Sequence, residues 1–315
     1  MERKVKGGRF TSFLAILYYE FLWNLRKKKT IGLFIIVFAI VTLQLALPPI
    51  LSNVLGQPFQ QNPTFVFRNV GSLTGILIFL LAMATTMNTV SGEFESGSII
   101  PLLTKPVSRS LVFAGKMTAA FLTLLAVYVF LAFYMIVGGW AIQGPQDNLQ
   151  LVPLGVLGLT VGTMVWMSIV VALGTLSKNS IVAAMGSFGF YLGLSIVGAL
   201  LATFLGQTSI LFYTPGDGAT GSTGTCTPRG FGAAGDVFAT GTNALGLLLM
   251  QWALDPGLSL NFCGFRFARG STETYLLSSE PVASVASRAL GIGLAYVAVL
   301  LLVSWFVFRR SEIVE

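Results

Sequence analysis

The chain has 315 residues, of which 54% are hydrophobic and only 10% are charged, and its mean hydropathy is +0.81. Soluble globular domains carry about 25% charged residues, so this composition excludes that class and predicts an integral membrane protein. The net charge of +7 comes from short basic clusters beside apolar runs, which indicates membrane topology rather than nucleic-acid binding. With no histidine and two cysteines, a metal or haem centre has almost no ligands.

The N-terminal region, residues 1–30, is predicted to hold a helix over residues 10–25 that lies along the cytoplasmic leaflet. The alternative is an extension of the first span. The basic run 26–29 would anchor a first span at 31–51, ended by Pro48 and Pro49. The apolar face of the interfacial helix consists of Phe10, Phe13, Leu14, Leu17, Tyr18, Phe21 and Leu25.

Five further apolar runs are long enough to cross a bilayer, which takes about 20 residues per helix. They are 70–90, 111–142, 153–176, 181–205 and 287–308. We therefore expect an all-α integral membrane protein with six transmembrane helices, an N-terminal interfacial helix, a short cytoplasmic helix between spans two and three, and a large extracellular loop between spans five and six. The predicted division is 1–30, 31–205, 206–286 and 287–315.

Three predicted spans carry glycines four residues apart, a spacing that lets helices approach closely. These pairs are Gly71/Gly75, Gly158/Gly162 and Gly189/Gly193. Each pair is weak evidence for a subunit contact, because glycine is common in membrane helices.

The outside segment 206–286 is predicted to be loop as far as Gly241, because it is rich in Gly, Thr and Ser. A helix capped by Asn243 would follow and run to Leu254. Cys226 and Cys263 both fall in this segment, where a disulfide is chemically permitted. The interpretation that competes with a disulfide, a metal or redox role, has few soft ligands to support it.

The six-span arrangement puts both termini in the cytoplasm and gives a clear positive-inside bias. Of the 19 lysines and arginines, all but five fall on the inside. The five outside are Arg68, Arg229, Arg266, Arg269 and Arg288.

Residues 91–116, SGEFESGSIIPLLTKPVSRSLVFAGK, join spans two and three and combine charges, prolines and a short apolar run. The apolar residues are too few to span the bilayer and too many for a solvated loop, so the pattern predicts a short amphipathic helix. Ser98 would be its N-cap, Pro101 would sit in the first turn, and Pro106 would end it.

This stretch resembles the coupling-helix signature of ABC-2-type ABC transporter permeases, the transmembrane subunits of ABC exporters. The matching positions are Glu93, Glu95, Gly97, Ser98, Leu102, Leu103, Lys105, Pro106, Val107, Ser108, Arg109, Gly115 and Lys116. Pro101 departs from the pattern, since such helices are usually uninterrupted. Glu20 and the basic run that follows it also match the first helix of these permeases.

The resemblance implies a multi-pass permease subunit of the plasma membrane that forms the substrate path as a dimer with a second copy or a paralogue. Separate ABC ATPase subunits would dock beneath a cytoplasmic coupling helix within residues 91–110. This chain would bind no cofactor, since ATP and Mg belong to the ATPase, and membrane lipids would be further partners. The residues expected to couple to the ATPase are Glu93, Glu95, Ser98, Ile99, Leu102, Leu103, Lys105 and Arg109.

The predicted spans contain weakly polar residues but no ionisable residue in their central parts, which weakens the case for a proton- or ion-coupled carrier. A candidate substrate path is lined by Thr85, Asn88, Tyr128, Thr163 and Tyr191. The stretch 110–117 lacks the first Gly and the final Ser or Thr of a Walker motif, so the chain is not expected to hydrolyse ATP.

Two other functions compete with transport. One is a membrane scaffold that relays force or a signal from an extracellular partner bound by the outer segment. The other is a membrane-embedded enzyme, which lacks an evident catalytic group because no histidine can act as a base.

Overall fold

Helices make up most of the computed structural model, which describes residues 9–71, 75–89, 91–95, 108–201, 209–227, 230–231, 236–268 and 271–310. The helices are α1 (Arg9–Arg26), α2 (Lys28–Val54), α3 (Phe65–Val70), α4 (Gly75–Thr86), α5 (Ser91–Glu95), α6 (Arg109–Gln143), α7 (Val152–Ser177), α8 (Ser180–Leu200), α9 (Leu245–Leu254) and α10 (Val282–Arg310). The strands are β1 (Thr220–Ser222), β2 (Cys226–Thr227), β3 (Gly230–Phe231), β4 (Val237–Ala239), β5 (Ser259–Ala268) and β6 (Ser271–Pro281).

Five of the described helices, α2, α6, α7, α8 and α10, are long and apolar enough to cross a bilayer. The prediction of a mostly helical, multi-pass membrane protein is therefore confirmed. Helix α4, inside the predicted second span, has 12 residues. The described part of this helix is about 18 Å long at 1.5 Å per residue, against roughly 30 Å for the hydrocarbon core.

Helix α2 continues through Pro48 and Pro49, so the prediction that these prolines end the first span is wrong. A proline removes one hydrogen bond to the preceding turn but does not force the chain out of a membrane helix. The helix ends instead at Val54, and the Ser52 hydroxyl donates to the Pro49 carbonyl at 2.9 Å.

Helix α1 is separate from the first span, because Lys27 adopts an extended backbone between α1 and α2 (φ −62°, ψ 123°). It packs along α6, where a Cβ added to Gly115 would lie 2.8 Å from Ile16. Its face with Phe10, Leu14 and Tyr18 stays exposed in the isolated chain. A helix of this kind beside a span is the geometry expected of the interfacial segment.

Helix α7 is the most buried of the five candidate spans, and a glycine row on it accommodates the segment around α9. A Cβ on Gly158 would lie 2.6 Å from the Leu245 carbonyl oxygen, and one on Gly162 would overlap the Thr242 carbonyl oxygen. Residues 242–250 are all buried as a result. The predicted short helix exists, but Asn243 does not cap it, because its side chain is engaged elsewhere.

The three predicted glycine pairs therefore differ in their surroundings. Gly71 and Gly75 also approach the 242–247 region, since the Gly71 carbonyl accepts from Leu247 N at 3.1 Å and Gly75 lies beside Asn243. Gly189 and Gly193 have no side-chain or backbone atom within 4 Å of an added Cβ among the described residues. Of the three pairs, only Gly189 and Gly193 face space that no described part of the chain fills.

The outer segment, predicted to be loop up to Gly241, contains an antiparallel sheet in the order β4-β1-β5-β6 and a small β2–β3 ladder. Short strands rich in Gly, Thr and Ser carry no strong apolar alternation, which explains why they were missed. The predicted disulfide is present, with the Cα atoms of Cys226 and Cys263 5.7 Å apart. A closed loop of this size contributes on the order of 3 to 4 kcal/mol to stability.

Strand β6 runs into α10 without a connecting residue, since Pro281 ends one and Val282 begins the other. An ion pair reinforces the junction, with Arg288 Nη1 2.9 Å from Glu280 Oε2. The Arg288 guanidinium also lies 4.0 Å above the centre of the Phe212 ring. The last span therefore begins at Val282, five residues earlier than its predicted start at residue 287.

Candidate coupling site and outer cavity

The predicted coupling helix lies outside the described residues, and so do Ser98, Ile99, Leu102, Leu103 and Lys105. The structure describes both ends of the connection. Helix α5, which carries Glu93 and Glu95, ends on one side, and α6 begins at Arg109 on the other. Ser108 is the N-cap of α6, and its hydroxyl oxygen accepts from Leu111 N at 3.3 Å.

Glu95 binds the start of α8 across the turn that follows α7. Its Oε1 accepts from Ser180 N at 2.8 Å, and its Oε2 accepts from the Ser180 hydroxyl at 2.5 Å. A carboxylate at a helix N-terminus satisfies free N–H groups and interacts favourably with the helix dipole. The hydrogen bonds from Ser180, with a smaller contribution from Lys29, lower the pKa of the Glu95 carboxyl below its ordinary value of 4.5. Glu95, which was predicted to couple to the ATPase, thus joins residues 91–110, called the coupling segment below, to α8.

Because its folded-state pKa is lowered, Glu95 stabilises the folded protein above its ordinary pKa, and this contribution is lost as the pH falls through the lower folded value. We expect Glu95→Gln to unfold at a lower temperature than the parent near neutral pH. The difference should disappear as the pH falls below 4.5. Thermal unfolding of the purified chain over a pH series measures this, and a difference that persists unchanged in acid contradicts the assignment.

The start of α6 is also joined to the end of α10. Arg109 Nη1 donates to the Arg309 carbonyl at 3.2 Å, and Trp305 Nε1 donates to the Ser110 hydroxyl oxygen at 3.2 Å. The rings of Phe113 and Phe308 pack below them, with centroids 5.7 Å apart. The start of α8 and the end of α10, which contact Glu95 and Arg109 of residues 91–110, therefore lie at one end of the bundle.

A buried ion pair joins α1 and α6, about one helical turn beyond Phe113 along α6. Lys116 Nζ is 2.5 Å from Glu20 Oε1, and the two side chains are 5% and 13% exposed. Both residues match the family signature, but no sequence pattern indicates that they touch, because 96 positions separate them. This pair fixes the interfacial helix to the span that follows the coupling segment.

The predicted substrate-path residues are brought together only in part. The Tyr128 and Thr163 hydroxyls lie 2.6 Å apart between α6 and α7, and both residues are buried. Thr85 is buried as well, and its hydroxyl donates to the Leu81 and Ala82 carbonyls of its own helix. Asn88 is half-buried near Gly92. The substrate path stays a prediction.

Tyr191, the fifth of these residues, lines a cavity of about 300 Å³ between α7, α8 and the outer segment. Its ring centroid is 5.2 Å from that of Trp166. Trp166 Nε1 donates to Asn243 Oδ1 at 2.8 Å, and Asn243 Nδ2 donates to Asp217 Oδ1 at 2.9 Å. Sequence reasoning missed Trp166, Asn243 and Asp217, since no motif links them. The presence of Trp166 inside a predicted span was the available signal.

The family model for ABC-2 family transporter protein matches residues 14–313. The chain therefore belongs to the ABC-2 transporter family. Members of this family are membrane components of ABC transporters, generally without catalytic activity of their own, and they act with an ABC ATPase. Membership supports a permease role in an ABC transporter. No curated protein matches the chain.

Proposed function

We propose that this chain is the permease subunit of an ATP-driven ABC exporter, coupled to separate ATPase subunits through residues 91–110. The family match carries the proposal, and the helix ends around the coupling segment support it. Glu95 contacts Ser180 at the start of α8, and Arg109 contacts Arg309 at the end of α10. A displacement of the coupling segment would therefore act together on α6, which begins within it, and on α8 and α10, which contact it.

The orientation that this function requires agrees with the charges at that end of the bundle. The basic run 26–29, Lys178 and the pair Arg309 and Arg310 all lie at the helix ends next to the coupling segment or its contacts. Basic residues collect on the cytoplasmic side of membrane proteins. We therefore place the coupling segment and both termini in the cytoplasm of a plasma-membrane protein, with the ATPase supplying the ATP and Mg sites.

The coupling step is tested by replacing Leu102 and Leu103 with serine. Burial of a leucine in a partner contributes about 1.5 to 3 kcal/mol, so the double variant should bind its ATPase weaker by orders of magnitude. Recovery of the ATPase with the purified permease measures this. Leu55→Ser is the control, because Leu55 is exposed at the end of α2. Normal ATPase binding by the double variant would contradict the assignment of the coupling helix.

We further propose that a second copy, or a paralogue, packs on the exposed face of α8. This face presents Gly189 and Gly193 together with Met185, Ile196 and Leu200, which are 71%, 59% and 50% exposed. Small residues on a lipid-facing helix permit the close approach that drives association in membranes. The outer cavity behind α8 would then lie close to the axis of the dimer.

Gly189→Leu tests that surface. No described atom of the chain lies within 4 Å of an added Cβ, so the fold of one protomer should be unaffected. The dissociation constant of the dimer, obtained from photobleaching steps over a range of protein-to-lipid ratios, should rise by about tenfold for a loss of about 1.4 kcal/mol. Gly291→Leu on α10 is the control, because its surroundings are equally open. An unchanged dissociation constant places the interface elsewhere.

We propose that membrane lipids are a further partner of the chain. An apolar groove between α1 and α6 is lined by Leu14, Tyr18, Phe21, Leu125 and Val129. An interfacial helix beside a span leaves such a gap in the hydrocarbon region, which acyl chains fill.

A further inference from the structure

We propose that the outer cavity binds an organic ammonium group, as a small cation or as the head of an amphiphile. The cavity of about 300 Å³ lies at the lower end of the range for ligand pockets, so it fits one such group. It lies between the middle of α7, where Trp166 sits, the second half of α8 and the turn that carries Asp217. Asp217 itself is exposed, so the cavity opens toward the outer solution.

The hydrogen-bond chain fixes Asp217 as an acceptor. An indole N–H only donates, so the contact from Trp166 Nε1 identifies the Asn243 atom it meets as the amide oxygen. The Asn243 NH₂ group must then point toward Asp217, where it donates to Oδ1 at 2.9 Å. Within the described parts of the chain, no donor is bonded to Oδ2 and no cationic side chain pairs with this carboxylate. A negative charge with one uncommitted oxygen therefore faces the cavity.

Aromatic rings supply the rest of the recognition. Trp166 and Tyr191 both line the cavity, with their planes at 69° to each other. Trp and Tyr faces attract ammonium groups through the ring quadrupole, and a tetraalkylated nitrogen fits them because it needs no hydrogen-bond acceptor. Tyr191 is 8% exposed and Trp166 only 1%, so the Tyr191 ring makes the aromatic contact and Trp166 packs against it. The Asp217 carboxylate combined with the Tyr191 ring selects a cation over a neutral ligand of the same shape. Leu194 and Leu211 add an apolar wall that accepts an alkyl chain.

The inference concerns binding alone and does not depend on the ATPase. Choline binding to the purified full chain in nanodiscs is measured by saturation-transfer NMR, with 3,3-dimethylbutan-1-ol as its neutral isostere. We expect saturable choline binding and binding of the neutral alcohol weaker by about tenfold. Binding of hexyltrimethylammonium distinguishes the two ligands that could carry the ammonium group, a small cation and an amphiphile. Tighter binding than choline indicates an amphiphile head, and equal binding indicates a small cation.

Two variants locate the site. Asp217→Asn keeps an oxygen for the Asn243 bond but removes the charge, so choline affinity should fall by about tenfold. Asp255→Asn is the matched control, since Asp255 is an exposed carboxylate whose Oδ1 accepts from Gly257 N at 3.1 Å outside the cavity. It should leave choline affinity unchanged. The proposal is overturned by an absence of saturable choline binding, by equal binding of the neutral alcohol, or by unchanged affinity in Asp217→Asn.

Discussion

Lys116→Met should lower the free energy of unfolding by about 3 to 5 kcal/mol, because it leaves the Glu20 carboxylate buried without its cation. Glu20 is only 13% exposed, so water cannot replace the lost partner without moving α1 away from α6. We therefore expect α1 to detach before the rest of the bundle unfolds. Thermal unfolding, together with proteolysis between α1 and α2, measures both effects.

Three further variants separate this explanation from a general loss of packing. Lys28→Met removes a lysine from an exposed position and should be close to neutral. The exchange Glu20→Lys with Lys116→Glu should recover part of the stability, since opposite charges meet again. Glu20→Gln with Lys116→Met should be more stable than Lys116→Met alone, because no unpaired charge stays buried. A Lys116→Met protein as stable as the parent would refute the structural role of the pair.

Gly162→Ala should destabilise the fold by about 1 to 3 kcal/mol, the usual cost of overpacking a core. The added methyl group would overlap the Thr242 carbonyl oxygen, which is backbone and cannot rotate away. The segment leading into α9 must then move away from α7. We expect a lower unfolding temperature and faster amide exchange in residues 242–250.

Gly291→Ala is the matched control for this substitution. It also lies in the interior of a membrane-length helix, but no described atom lies within 4 Å of an added Cβ. Alanine has a higher helix propensity than glycine by about 1 kcal/mol, so this variant should be neutral or slightly more stable. Equal stability losses in the two variants would mean that the contact with Thr242 is not the cause.

The helices were largely predictable, because a run of apolar residues long enough for a bilayer leaves few alternatives. Helices α6 and α7 begin and end within two residues of the predicted spans. The end of α2 was not predicted, since Pro48 and Pro49 break helices in water more than in a packed bundle. The β5–β6 hairpin was also missed, although Leu260 and Phe262 alternate with polar residues as strands do.

The contacts that define the candidate sites could not be read from the sequence. Glu20 and Lys116 were noticed separately, but only the packing of α1 on α6 brings them together. Glu95 was expected to couple to the ATPase, and nothing in the sequence indicated that it also binds Ser180 at the start of α8. No sequence pattern around Glu95 indicates that its partner is Ser180, which lies 85 positions away in the chain.

Because β6 continues directly into α10, the outer sheet and the last span should move together as one rigid element. Helix α10 has 29 residues and is therefore about 43 Å long. Its inner end is bonded to Arg109, which belongs to the coupling segment 91–110. A tilt of about ten degrees about that end would displace the outer end by about 7 Å, enough to change the width of a cavity beneath the sheet. Under the proposed coupling to an ATPase, a small movement at the inner end would be amplified at the outer surface, because no residue separates the sheet strand β6 from the membrane helix.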